Sequence, residues 1–157
     1  FHLRKYGRPI TNDQYWAMQF GPVASGVKEI FELDSLSPAE RHYAEAFLAK
    51  GSKDYSVRSL AEVDPSVFSQ SDGEALQFAW LTFGKSAKIV EKTHFYPEWK
   101  RHEAAIAGGS TRMPMSYFDF LDDPPAGVKP CHALSDEERE ARREQLREMD
   151  DIAALWS

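Results

Sequence analysis

The sequence predicts an α+β fold that is mostly helical, with helices packed around a small two- to three-stranded antiparallel sheet and a further helix at the C-terminal end. Three observations carry this expectation. Capping-box patterns open apolar-periodic runs at Ser37-Pro38-Ala39-Glu40, Ser71-Asp72-Gly73-Glu74 and Ser135-Asp136-Glu137-Glu138. The stretches between the first two alternate as short strands do. The chain has 157 residues, 42% of them apolar and 20 of them aromatic, enough for one compact core.

Taken in order, Phe1–Tyr6 reads as the last turns of a helix, with Gly7 placed for a left-handed stop. Arg8–Thr11 is extended, Asn12-Asp13 is a turn, and Tyr15–Phe20 fits either strand or helix. Gly21-Pro22 should break that run, after which Ser25 caps a helix whose Val27, Ile30 and Phe31 share a face. The Ser37 box starts a helix with Tyr43, Phe47 and Leu48 as its inner stripe and Gly51 as its stop. Tyr55–Leu60 reads as a strand, and Glu62–Phe68 as a weaker edge strand because of Pro65. The Ser71 box begins a helix with Leu76, Ala79, Trp80 and Phe83 on one face. Further helices are expected from Ser86 to Lys92 and from Pro97 to Gly108-Gly109. The last runs from Ser135 to Trp156, with Glu138 and Arg142 paired four apart and an apolar seam of Leu146, Met149, Ala153 and Trp156.

The net charge is −6, and it is not evenly spread. Residues 1–112 hold 14 basic and 14 acidic side chains, whereas residues 113–157 hold 5 and 11. Between body and tail lies a stretch with Asp122-Asp123-Pro124-Pro125 and Pro130, whose prolines favour extended chain. The expected organisation is therefore a domain over 1–121, a Pro-rich linker over 122–134 and an acidic helix over 135–157. Cys131 is the single cysteine and has no internal partner, which points to a cytoplasmic protein. No apolar run reaches the ~18–20 residues of a membrane span. Phe1-His2-Leu3-Arg4-Lys5 lacks the apolar core of a signal peptide, and the missing initiator Met suggests a longer gene product.

No motif in the sequence completes a catalytic or ligand set, so no enzyme, cofactor or metal is expected. Gly21–Gly26 has phosphate-loop glycine spacing, but Val27 stands where lysine is needed; Gly84-Lys85-Ser86 lacks the first glycine, its place taken by Ala79. His102-Glu103 begins a zinc motif that Ile106 ends, and Glu98 with His102 is read as a surface hydrogen-bonded pair. No nucleophile elbow occurs, and Cys131 lies in the linker, away from any base. Residues 85–112 carry a net charge of +3 and two expected helices, the basis of an alternative reading as a winged-helix-like DNA-binding regulator. The low charge density makes nucleic acid the weaker partner.

The segment Tyr6-Gly7-Arg8-Pro9-Ile10-Thr11-Asn12-Asp13-Gln14-Tyr15-Trp16-Ala17-Met18-Gln19-Phe20-Gly21-Pro22-Val23-Ala24-Ser25 stands apart from the rest. It resembles the signature of the Panacea domain, the SocA-like antitoxin family, which runs roughly YGRPITxDxYxAMxxGPVPS. Ser69-Gln70-Ser71-Asp72, Phe83-Gly84, Ser86, Thr93-His94 and Trp99 are similar to the second half of that family, so ordered matches span about residues 1–105. Ala24 replaces the usual Pro and Asn12 a common Gly. The resemblance implies an antitoxin that neutralises a partner toxin by direct binding. Some relatives are thought to be proteolytic adaptors that hand the toxin to a ClpXP-type protease. Neither role needs a catalytic residue. Within the signature, Ile10, Met18 and Val23 suit a core, while Arg8, Asp13, Tyr15 and Trp16 suit partner contact as polar or amphipathic groups in a turn-rich segment. His94 and Trp99 either lock a helix to the body or line the same groove.

Overall fold

A computed structural model describes residues 1–33, 35–51 and 56–155. The chain starts with α1 (His2–Tyr6), stopped by Gly7 at φ +79°, as its position suggested. β1 (Tyr15–Met18) and β2 (Gly21–Ala24) form a hairpin around Gln19-Phe20. The ambiguous run at Tyr15 is thus a strand. Gly21-Pro22 does not end it as a break: Gly21, at φ +118°, opens the returning strand. β5 (Arg112–Pro114) pairs with the other edge of β1, giving a three-stranded antiparallel sheet in the order β2-β1-β5. The central position of β1 explains why Ala17 is fully buried.

α2 (Ser25–Glu32) follows β2 directly, and α3 (Pro38–Phe47) begins at the expected Ser37 capping box. That helix ends at Phe47 rather than Gly51, because Leu48–Lys50 form β3, paired with β4 (Val57–Ser59). Ladder bonds to β4 outweigh the helical pattern at Leu48. Tyr43 and Phe47 are not an inner stripe either; their rings meet at a tilt and stay exposed, while Ala44 is the buried residue. The expected edge strand at Glu62–Phe68 is instead a 3-10 turn over Pro65–Val67, where the Asp64 carboxylate accepts from the Ser66 N–H at 2.9 Å. Tyr55 and Trp156 lie outside the described residues.

α4 (Gln70–Phe83) starts two residues earlier than the pattern suggested, at a box made by Ser69 and Asp72. Both Ser69-x-x-Asp72 and Ser71-x-x-Glu74 satisfy the sequence rule. Tertiary partners choose between them: Arg8 binds Asp72, whereas Glu74 is taken by Lys5 at 2.6 Å and by the Tyr6 hydroxyl. α5 (Ile89–Thr93), α6 (Pro97–Lys100) and α7 (Glu103–Ala107) are each about one turn long. The helix expected from Pro97 to Gly108 is therefore two pieces, separated at Arg101-His102.

α8 (Asp136–Ala154) begins at the expected Ser135 box. Glu138 closes that box, and Arg142 turns instead to the Arg4 and Lys5 carbonyls at the end of α1. Residues 122–134 carry no helix or strand, but Asp122 and Asp123 are held by Arg143 and Arg139 of α8. Among the described residues, two clusters of buried side chains form most of the core. Leu3, Leu121 and Leu146 join α1, a 3-10 turn at Tyr117–Leu121 and α8; Ala17, Trp99 and Met115 sit under the sheet. Phe120 packs against both.

Leu146 is the side chain through which α8 enters the core. Leu146→Ala should therefore cost about 2–5 kcal/mol in urea unfolding, the range for a buried leucine truncation. A loss within the scatter of surface substitutions would mean that α8 is not part of the cooperative unit.

Candidate functional site

The signature segment is where sequence points to function, and the structure shows what each of its residues touches. Asp13 reaches across to the start of α2. Ala24, the N-cap residue, has no side chain able to satisfy the first N–H groups, so Asp13 does so from outside the helix. Its carboxylate accepts from the N–H groups of Gly26 (2.9 Å) and Val27 (3.1 Å) and from the Ser25 hydroxyl (3.0 Å). Ser25 is thus a partner of the cap rather than the cap. Burial by itself would push the Asp13 carboxyl up, but these donors together outweigh it and hold the group below its ordinary range. The Asp13 carbonyl is fixed in turn by the Tyr117 hydroxyl at 2.7 Å, and burial pushes that phenol up to about 12.

Arg8 leaves α1 and donates to Asp72, Ser71 and Ser69 at 3.1–3.3 Å, reinforcing the capping box of α4. His2 assists from the buried side, its ring nitrogens meeting the Arg8 carbonyl and Ser71. Tyr15 is half-buried with its ring against the edges of Tyr117 and Phe120. Trp16, on the other face of β1, lies beneath the Arg112 guanidinium at 4.5 Å. Trp99 is buried and donates its indole N–H to the Met18 carbonyl at 2.8 Å, tying α6 to the end of β1. His94 stacks on the Trp99 ring at 3.5 Å; desolvation lowers its pKa, so the imidazole is neutral at pH 7. The six candidates therefore do not converge on one patch. Trp99, His94, Tyr15 and Asp13 face inward, whereas Arg8 keeps about half its side chain in solvent and Trp16 is partly open.

The exposed apolar surface lies elsewhere. Val27, Ile30 and Phe31 do share a face of α2, but that face is open, with Phe31 48% exposed. On α4, Leu76, Trp80 and Leu81 are open as well, Trp80 at 63% and Leu81 at 75%. Val63, Val67 and Phe68 continue the exposed apolar character before α4. The pattern found these apolar faces, but periodicity does not say what covers them.

A second feature escaped sequence reading. A cavity of about 330 Å³ lies between α1 and α4, lined by Leu3, Phe78, Phe83, Tyr96, Phe120 and Glu98 among others. Glu98 and His102 do not form the expected surface pair: α6 ends at Lys100, and Glu98 lines this cavity, where burial raises its pKa to about 7. Pro97-Glu98 at a helix start looks like an ordinary solvated first turn, so no local signal marks the burial.

No group of three His, Cys, Asp or Glu side chains among the described residues could hold a metal. No helix among them is long and apolar enough to cross a membrane. In the basic stretch, Lys88, Lys100 and Arg101 pair with Glu91, Glu103, and Asp119 and Asp122. The fold and site thus define a small α+β protein whose distinctive segment clasps its own secondary elements together. The chain belongs to the antitoxin SocA-like, Panacea domain family, whose model matches residues 1–100. No curated protein and no solved structure matches the chain significantly.

Asp13→Ala should cost about 1–2 kcal/mol in chemical unfolding, the range for a lost helix cap. Because its pKa is lowered on folding, the Asp13 contribution is present above the ordinary value of 3.8 and lost as pH falls through the folded pKa. The variant should therefore lose stability at neutral pH and converge with the parent in acid. An equal deficit at every pH would contradict the cap.

Proposed function

We propose that this protein is an antitoxin that neutralises a partner toxin by stoichiometric protein binding. The observation that carries the reading is the open apolar surface of α2 and α4 in a member of an antitoxin family. Large contiguous apolar patches on a small protein mark places where another macromolecule docks. Aromatic side chains such as Phe31 and Trp80 are suited to anchor such an interface, because they bury large areas at low entropic cost. Arg8, half exposed, and Trp16, partly open, are the signature residues that can add polar and aromatic contacts, and Asp13, Tyr15, His94 and Trp99 act through the framework.

A binding antitoxin needs no catalytic group, and the family membership supports a non-catalytic regulator. The cytoplasm is the compartment in which a single free cysteine fits. Delivery of the captured toxin to a ClpX-type unfoldase is the further step that the family resemblance suggests. It predicts that toxin levels fall in cells only when the protease is present, whereas simple sequestration leaves them unchanged.

Co-expression with the product of the adjacent open reading frame tests the reading. That product should arrest growth alone, be harmless beside this chain, and co-purify with it. Trp80→Glu together with Phe31→Glu should weaken binding by more than about tenfold, as loss of interface anchors does, while the thermal midpoint changes little. A harmless neighbour, or one that does not co-purify, overturns the proposal.

A further inference from the structure

The cavity between α1 and α4 has a property that the antitoxin reading does not use. Its wall is largely hydrocarbon and aromatic, from Leu3, Phe78, Phe83 and Phe120 among others. Its volume of about 330 Å³ falls within the ~300–1,000 Å³ of small-ligand sites. The polar groups on the wall sort into two kinds.

Most are already occupied. Arg4 donates to the carbonyls of Leu121 and Asp122, each at 3.0 Å, to that of His132 at 2.6 Å, and to the Asp123 carboxylate. Asp122 accepts from Arg101 and Arg143. The two ring nitrogens of His2 meet the Arg8 carbonyl and Ser71. Thr93 donates to the Val90 carbonyl, and Tyr96 to the Lys129 carbonyl. Glu98 differs: among the described residues no side chain hydrogen-bonds or ion-pairs with it, and its own backbone N–H is its one hydrogen-bond donor. The Phe1 amino group and Arg4 act on it only through charge at longer range, too weakly to offset its burial. An ionisable group kept in an apolar cavity without a side-chain partner is costly to charge, and a ligand cation would remove that cost.

We propose that this cavity binds a small apolar amine, its hydrocarbon body against the Phe78, Phe83 and Phe120 rings and its ammonium group on the Glu98 carboxylate. The hydrocarbon part supplies affinity through the area taken from water, and the charge-assisted bond to Glu98 supplies selection for a cation. The site lies on the α1 side of α4 and shares Leu76 with that helix's open apolar surface.

Titration calorimetry of the full-length gene product with phenethylammonium, and in parallel with its uncharged isostere propylbenzene, tests this directly. Saturable binding of the amine is expected, with the isostere at least about tenfold weaker. Glu98→Gln should bring the two ligands to similar affinity by removing the charge and keeping the shape. Ala79→Trp, at the cavity wall, should abolish binding of both while the circular dichroism melt is retained. Absence of saturable binding overturns the proposal. So does equal affinity for amine and isostere in the parent protein, or binding that Ala79→Trp leaves intact.

Discussion

The structure depends on one buried cation. Arg4 is 3% exposed, so its guanidinium has exchanged water for protein on every side. A buried charge of that kind is tolerated only when its donors are satisfied and a counter-charge is close. The chain supplies the carbonyls of Leu121, Asp122 and His132 and the carboxylate of Asp123. This requirement draws the otherwise irregular residues 121–132 against α1. It sets Asp123 where Arg139 can share it, and Asp122 where Arg143 reaches it. The acidic imbalance of the C-terminal part thus has a role at its near end, where aspartates bridge α1 to the arginines of α8.

With that corner held, the signature segment distributes constraints to the rest of the body. Arg8, helped by His2 from α1, holds the N-terminal end of α4, Asp13 holds that of α2, and the Met18 carbonyl takes the Trp99 indole N–H that secures α6 to β1. A family signature made mostly of such internal contacts need not name the surface that meets a partner. It preserves the relative placement of α2 and α4, whose outward apolar faces are then presented in a fixed arrangement. The link from sequence to function accordingly runs through stability: hydrogen bonds and caps in the signature shape a surface made by other residues.

Much of the fold was legible because it is written locally. Gly7, Ser37 and Ser135 mark their helix ends with patterns whose partners lie within a few residues. The misplacements come from partners distant in sequence. Ser69 and Ser71 are equal by local rule, and distant partners decide for Ser69: Arg8 takes Asp72 and Lys5 takes Glu74. Leu48 continues a helical pattern until Ser59 pairs with it. Asp13 caps a helix that starts twelve residues later, so no window around Ser25 reveals it. The same limit applies to function. Apolar periodicity located Val27, Ile30, Phe31 and Trp80, but only the packing shows that these faces are open. Glu98 carries no local mark at all, since the cavity it lines is closed by residues of α1 and α4, distant in sequence.

The central claim is that the signature segment is a framework and that the partner meets the outward faces of α2 and α4. Hydrogen–deuterium exchange of the chain alone and bound to the product of the adjacent open reading frame separates the two roles. The account predicts added protection in α2, in α4 and in the Val63–Phe68 stretch before it, with β1 and α6 equally protected in both states. Protection that appears in β1 and α6 and spares α2 and α4 would contradict it.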